Sequence, residues 1–217
     1  MTNHLRSEIE LLKKRILSIS AMVEESLANA VEALRTRDVA LAQTVIKNDK
    51  EIDQREVQVE EECLKVLALH QPVAVDLRYI VSVLKINSDL ERIGDLAVNI
   101  AQRAEIMGNQ NLVPVPEQIM RMAGSTQKMV KWSIDALIEF DDGVAREVLA
   151  ADDEVDHIYA NMYIIVEEGI RSDIEHLDYW IHYLALSRYL ERIADHATNI
   201  AEDVLYMVEG GISRHKG

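Results

Sequence analysis

Leu90-Glu91-Arg92-Ile93-Gly94-Asp95-Leu96-Ala97-Val98-Asn99-Ile100-Ala101 returns one hundred residues later as Leu190-Glu191-Arg192-Ile193-Ala194-Asp195-His196-Ala197-Thr198-Asn199-Ile200-Ala201, with nine of the twelve positions identical. Two unrelated acidic helices share charge spacing by chance, but not such a run of identities, so the chain reads as a duplication. Asp49-Lys50-Glu51-Ile52-Asp53 likewise lines up with Asp152-Asp153-Glu154-Val155-Asp156 at an offset of 103. Around these segments apolar residues recur at three and four residue spacing. Ile9, Leu12, Ile16, Ile19, Val23, Leu27, Val31 and Leu34 trace one long amphipathic helix. Breaks fall at Arg35 to Asp38, where Thr36 or Asp38 can cap a new helix, at His70 to Val73 around Pro72, and at Gly108 to Pro116. Beyond the last break, helices are predicted from about Glu117 to Phe140, Asp142 to Ile170 and Asp173 to Met207. The expected fold is all-α, two tandem three-helix bundles spanning residues 1–108 and 117–217 with a Pro/Gly/Asn-rich linker at 109–116.

Composition agrees with that class. Aromatic residues make up 5% of the 217 residues and only 8 Gly and 3 Pro occur, too few for folds built from short strands and tight turns. A mean hydropathy of −0.07 and the lack of any long uncharged apolar stretch argue against a membrane span, and the charged start of the chain does not read as a signal peptide. One cysteine, Cys63, cannot form an internal disulfide, and with Glu60, Glu61 and Glu62 beside it reads as a core residue, so a cytoplasmic location is expected. The formal charge is −15, with −4 in residues 1–108 and −11 in residues 109–217. Such a balance disfavours nucleic acid and anionic membrane surfaces and favours cations or basic partners.

In each half two helices carry an acid-x-x-x-acid motif: Asp49 with Asp53, Glu91 with Asp95, Asp152 with Asp156, and Glu191 with Asp195. An i,i+4 step puts both carboxylates on one helix face, where two like charges without a cation cost roughly 0.2–0.5 kcal/mol. Register makes the signal stronger. The pairs Asp49/Asp95 and Asp53/Glu91 are each equidistant from Pro72, and Asp152/Asp195 and Asp156/Glu191 are each equidistant from the Asp173–Ile174 junction. Two antiparallel hairpins would therefore each bring four carboxylates to one level. Oxygen-only ligands suit hard or borderline ions such as Mg²⁺, Mn²⁺, Ca²⁺ or iron, and four can hold more than one ion.

Arg92 and Arg192, inside the motifs, offer a surface ion-pair lattice as the alternative. Glu91 and Asp95 fall opposite the apolar side of their helix formed by Ile86, Leu90, Ile93, Ala97 and Ile100, so the site is expected to be open to solvent. Asn99 and Asn199 stand one further i+4 step along, as helix-surface hydrogen bonders or supporting groups behind the ligands. His196 points about 100° away from Asp195 and is expected in a pocket or on the surface rather than as a ligand. A buried di-iron oxidase would need Glu-x-x-His on two helices. Glu154-x-x-His157 occurs, but its repeat reads Glu51-x-x-Gln54.

Gln71-Pro72-Val73-Ala74-Val75-Asp76-Leu77-Arg78, followed by residues 90–101 and their second copy, resembles the PhoU family of phosphate-uptake regulators over essentially the whole chain. The resemblance implies a cytoplasmic, non-enzymatic protein, peripheral to the inner membrane through its partners. It would act beside a phosphate ABC transporter and its sensor histidine kinase to repress phosphate-starvation genes. It also implies homodimers and multinuclear clusters of divalent or trivalent metal ions (iron, manganese, magnesium or zinc) at the eight acidic positions. The second half lacks the Gln-Pro turn: His176, Leu177 and Asp178 stand at the counterparts of Asp76, Leu77 and Arg78. Asp76 and Arg78 are thus expected either to form a partner surface unique to the first half or, for Asp76, to cap a helix. A carboxylate-metal enzyme, an oxidase or two-metal hydrolase, and a metal-free helical scaffold are the competing readings.

Overall fold

Six long helices make up the computed structural model, which describes residues 3–108 and 113–210; residues 109–112 of the expected linker lie outside the described residues. They are α1 (Asn3–Thr36), α2 (Val39–His70), α3 (Ala74–Gly108), α4 (Glu117–Glu139), α5 (Asp142–Ser172) and α6 (Leu177–Glu209). No strand occurs among the described residues.

The duplication extends into turn chemistry that sequence identity alone does not flag. Asp38 caps α2 by accepting from the Leu41 backbone N–H at 2.9 Å, and Asp141, its counterpart at offset 103, caps α5 by accepting from Val144 at 3.0 Å. Each cap of this kind stabilises its helix by about 1 kcal/mol. The residues just before, Arg37 (φ 56°) and Phe140 (φ 54°), are both left-handed, and Asp38 and Asp141 each donate their backbone N–H at 3.1 Å, to the carbonyls of Ala33 and Ala136. These are the same turn, used twice.

The other pair of turns differs. After α2 the chain passes through left-handed Gln71, buried Pro72 and left-handed Ala74. After α5, Asp173 closes the helix by donating to the Gly169 carbonyl, and a single 3-10 turn, Ile174–His176, intervenes before α6. The sixth helix therefore starts at Leu177 rather than Asp173. Ser172 Oγ bonds the Gly169 carbonyl at 2.9 Å and His176 Nδ1 lies 2.7 Å from Asp173, contacts that replace the proline. Asp76 does not cap α3, because the helix begins two residues earlier at Ala74; the carboxylate sits in the first turn, where the helix dipole favours it. Arg78 is half-buried. Its guanidinium packs about 3.5 Å from where a Cβ on Gly210, the residue that ends α6, would lie.

Packing places α3 against α1, α2 and α6, and α6 against α3, α4 and α5, with α1 touching α4. The two central helices are therefore apolar on more than one face. Ile80, Ile86, Leu90, Ile93 and Ile100 of α3, and Tyr183, Leu186, Ile193 and Ile200 of α6, have no exposed area. Helices α3 and α6 run antiparallel, as polar contacts near their ends show: Lys85 Nζ donates to Asp203 at 3.0 Å, and Arg103 Nη1 lies 3.3 Å from His182 Nδ1. Arg37 ties the α1–α2 turn to the end of α3 through the Met107 carbonyl, to the linker through the Val113 carbonyl and to the second half through the face of Tyr179. Cys63 is a core residue, fully buried, with its thiol pushed up to about 12 by burial and by Glu62 and Glu60.

Candidate metal centre

The α2–α3 hairpin brings Asp49, Asp53 and Asp95 together, with one carboxylate oxygen from each lying within 4.8 Å of the others. Among the described residues this is the single group of three or more acidic, histidine or cysteine side chains so gathered. Antiparallel register does the work: Asp49 and Asp95 face each other across the hairpin, and Asp53 stands one turn along α2. Gly94, next to Asp95, presents no side chain to α2; a Cβ there would lie 3.4 Å from Ile52 and 3.8 Å from Asp49 Oδ1. Asp49 Oδ1 is buried without a hydrogen-bond donor, a position that carries a cost unless a cation or proton supplies the partner.

Glu91, the fourth expected member, stands slightly apart. Its carboxylate lies 3.4 Å from the Arg92 guanidinium, which also reaches Asp95 at 3.4 Å. The ion-pair alternative is therefore partly realised, but Arg92 is 56% exposed, so water and salt screen these pairs, and Asp49 and Asp53 remain uncompensated. The electrostatics register this. Burial first, then Asp53 and Asp95, push the Asp49 carboxyl up to about 6, and burial followed by Asp95 raises Glu91.

In the second half Asp152 is pushed up to about 6 by burial, Asp156 and Asp195, and Glu191 and Asp195 are raised by burial and their neighbours. The four carboxylates thus feel one another, yet no three of their oxygens lie within 4.8 Å. Arg192 makes no ion pair with Glu191 or Asp195, whereas Arg92 pairs with both Glu91 and Asp95 in the first copy. Without a bridging cation, like charges separate.

Neighbouring residues sort differently from their sequence reading. Asn199 turns away from the carboxylates and donates to Asp89 Oδ1 of the other half at 3.3 Å. His196 joins it at 2.8 Å from the same oxygen, so the two residues of α6 clasp one carboxylate of α3. Asn99 is half-buried and makes no side-chain hydrogen bond to the acidic group. Glu154 is held by Arg121 and Ser125 on α4, and exposed His157 by Asn161, which removes the di-iron motif. Glu56 and Asn87 were not singled out in the sequence. Glu56 is raised by burial, Glu60 and Asp53, and accepts from fully buried Asn87 at 3.1 Å. The signal was present: Glu56 follows Asp53 by one turn, and Asn87, Glu91 and Asp95 step by four along α3.

A cluster that is raised in this way has a reversed pH response. For Asp49 and Asp152 the folded value, about 6, lies above the ordinary 3.8, so their contribution to stability is full below about 3.8 and lost as pH rises through 6. The chelator-treated protein should therefore become more stable on acidification from pH 7 to 5, by about 1 kcal/mol per group once solvent screening is allowed for. Thermal melts in that window check the sign; a melting temperature that falls steadily would contradict it.

A model of the PhoU domain matches residues 16–104 and again 119–204. The chain belongs to the PhoU family. It is 37% identical to the phosphate-specific transport system accessory protein PhoU homolog of Pseudomonas aeruginosa, covering all of this chain and 92% of that protein. With homolog 1 of the same name from Thermotoga maritima it shares 34% identity over 95% of this chain and 90% of the relative. The crystal structure of PhoU from Pseudomonas aeruginosa superposes with a TM-score of 0.92 at 37% identity, covering 95% of this chain and 99% of that one. The phosphate transport system regulatory protein PhoU from Streptococcus pneumoniae superposes at 0.86 with 28% identity, covering 96% of this chain and 98% of that one. PhoU is a family of transport accessory and regulatory proteins, not of enzymes, which closes the oxidase and hydrolase readings. Each PhoU match contains one acidic quartet, Asp49 to Asp95 or Asp152 to Asp195.

Proposed function

We propose that this PhoU protein is a metal-binding cytoplasmic regulator that docks on a phosphate ABC transporter and its sensor histidine kinase and restrains both when phosphate is plentiful. The carrying observation is the gathering of Asp49, Asp53 and Asp95 around a carboxylate, that of Asp49, whose Oδ1 is buried without a donor. That donor set, all carboxylate oxygen and half open to solvent, fits a hard cation such as Mg²⁺, Mn²⁺ or iron better than zinc, which prefers nitrogen and sulfur. Asp49, Asp53 and Asp95 would hold it, with Glu91 closing in when Arg92 is displaced. Asp152, Asp156, Glu191 and Asp195 would hold a second, or a small cluster.

Bound cations would neutralise the two acidic faces and stiffen the hairpins that carry them, altering what a partner meets. The two bundles, residues 1–108 and 117–217, act in this reading as paired domains, and the protein works as a homodimer. Transport partners are supported by the names of the relatives; the kinase and the sign of regulation rest on the family resemblance. No helix among the described residues is long and apolar enough to cross a membrane, consistent with a peripheral protein.

The test is genetic complementation. Loss of the gene should raise a phosphate-starvation reporter in phosphate-rich medium, the wild-type chain should restore repression, and a chain with Asp49→Asn and Asp95→Asn should fail while remaining folded. Full repression by that variant would remove the metal from the mechanism, and an unchanged reporter on gene loss would remove the regulatory role.

A further inference from the structure

In a chain of net charge −15, three cations line one groove between α1 and α2. Lys14 and Arg15 from α1 and Arg55 from α2 border a cavity of about 420 Å³, together with Ser18 and Gln58. Lys14 and Ser18 are one turn apart on α1, and Arg55 and Gln58 one turn apart on α2, so each helix presents a cation and a neutral hydrogen-bonding group to the same space.

Nearby carboxylates leave these cations under-used. Among the described residues Lys14 makes no ion pair or hydrogen bond. Glu62 is bound by Lys65 at 2.8 Å and stands 4.0 Å from Arg15, while Glu51 reaches Arg55 at 3.4 Å from one turn away. The Nε of Arg15 is buried and has no acceptor. A buried guanidinium N–H without an acceptor is the mirror image of the donorless Asp49 oxygen, and it calls for an acceptor-only ligand.

We infer that this groove binds a small tetrahedral oxyanion of the phosphate class. Such an ion accepts hydrogen bonds from two guanidinium groups, an ammonium and the Ser18 hydroxyl at once, the geometry at which arginine surpasses other donors. A polyanion does not fit, because the net charge of −15 repels extended negative partners. The groove is also not duplicated: at offset 103, Arg55 becomes Ile158 and Gln58 becomes Asn161. One site per chain follows. It lies on the α1–α2 face of the first bundle and stands independently of the metal reading.

Orthophosphate is titrated into the chelator-treated full-length protein at constant ionic strength, with amide NMR shifts as the readout. Chelation removes any phosphate bridged by a metal. Saturable shifts at residues 14–18 and 55–58, larger than chloride produces, are expected, with binding weakened about tenfold or more by Lys14→Gln with Arg55→Gln, since each lost charge-assisted bond is worth at least that factor. Both substituted side chains are exposed, and an unchanged melt would show that the variant folds. Linear shifts equal to those of chloride, or unchanged affinity in the variant, overturn the proposal. Sedimentation with phosphatidylglycerol vesicles forms the second arm. Arg55-dependent vesicle binding without saturable orthophosphate binding would assign the groove to a lipid headgroup and overturn the free-anion assignment.

Discussion

Titrating Mn²⁺ into the chelator-treated protein is expected to raise its melting temperature by about 5–10 °C, and Asp49→Asn with Asp95→Asn is expected to abolish the rise. The magnitude follows from linkage: a ligand at a hundred times its dissociation constant adds about 2.7 kcal/mol, and about 2–4 °C accompanies each kcal/mol at this chain length. The two substitutions change one oxygen to an amide nitrogen on each side of the hairpin and leave the packing around Ile52 and Gly94 intact. Removing two mutually repelling charges should leave the metal-free variant as stable as the parent, or slightly more so. An equal rise in parent and variant would place the ion elsewhere, and a collapse of the metal-free variant would make these aspartates structural. Elemental analysis of both proteins gives stoichiometry and a reading independent of stability.

Replacing Lys85 by Met should lower stability by about 3 kcal/mol, a fall of about 6–12 °C in melting temperature, because it removes the cation beside a carboxylate buried in the interior. Asp203 is 1% exposed and lies 3.0 Å from the Lys85 ammonium, which reaches across from α3 and also rests on the Tyr206 ring. Converting Asp203 to Asn in the same chain should recover most of the loss, since the buried charge that has lost the Lys85 ammonium is then gone. Denaturant or thermal unfolding of the two single variants and the double variant measures the coupling. A Lys85→Met protein as stable as the parent would contradict the role of this pair in holding the two halves together. The pair matters to the regulatory reading, because α3 and α6 each carry half of an acidic centre and meet along this antiparallel contact.

Much of this architecture was legible without coordinates. Helical periodicity, the Asp38 cap and the duplicated motif are local in sequence, and helix formation answers mainly to local spacing. Register about Pro72 was legible too, because two rigid helices joined by a short turn leave little freedom in which residues face. The second hairpin was read less well. The Asp173–Ile174 junction hides a 3-10 turn whose hydrogen bonds, from Ser172 and His176, have no strong sequence signature. Asp76 was misplaced by the same kind of error, since left-handed Ala74 starts α3 earlier than a capping pattern suggests.

By itself, then, the amino-acid sequence determined the helices, their pairing into two hairpins and the eight acidic positions, since these follow from periodic spacing and from short turns between long helices. The tertiary structure alone decided which carboxylates meet. Asp49, Asp53 and Asp95 converge where Gly94 leaves room, while the second quartet stays spread. It also decided that His196 and Asn199 clasp Asp89 and that Lys85 faces Asp203, contacts between residues more than a hundred positions apart. Those distances are set by how two bundles dock, and docking depends on the summed shape of many side chains rather than on any short pattern.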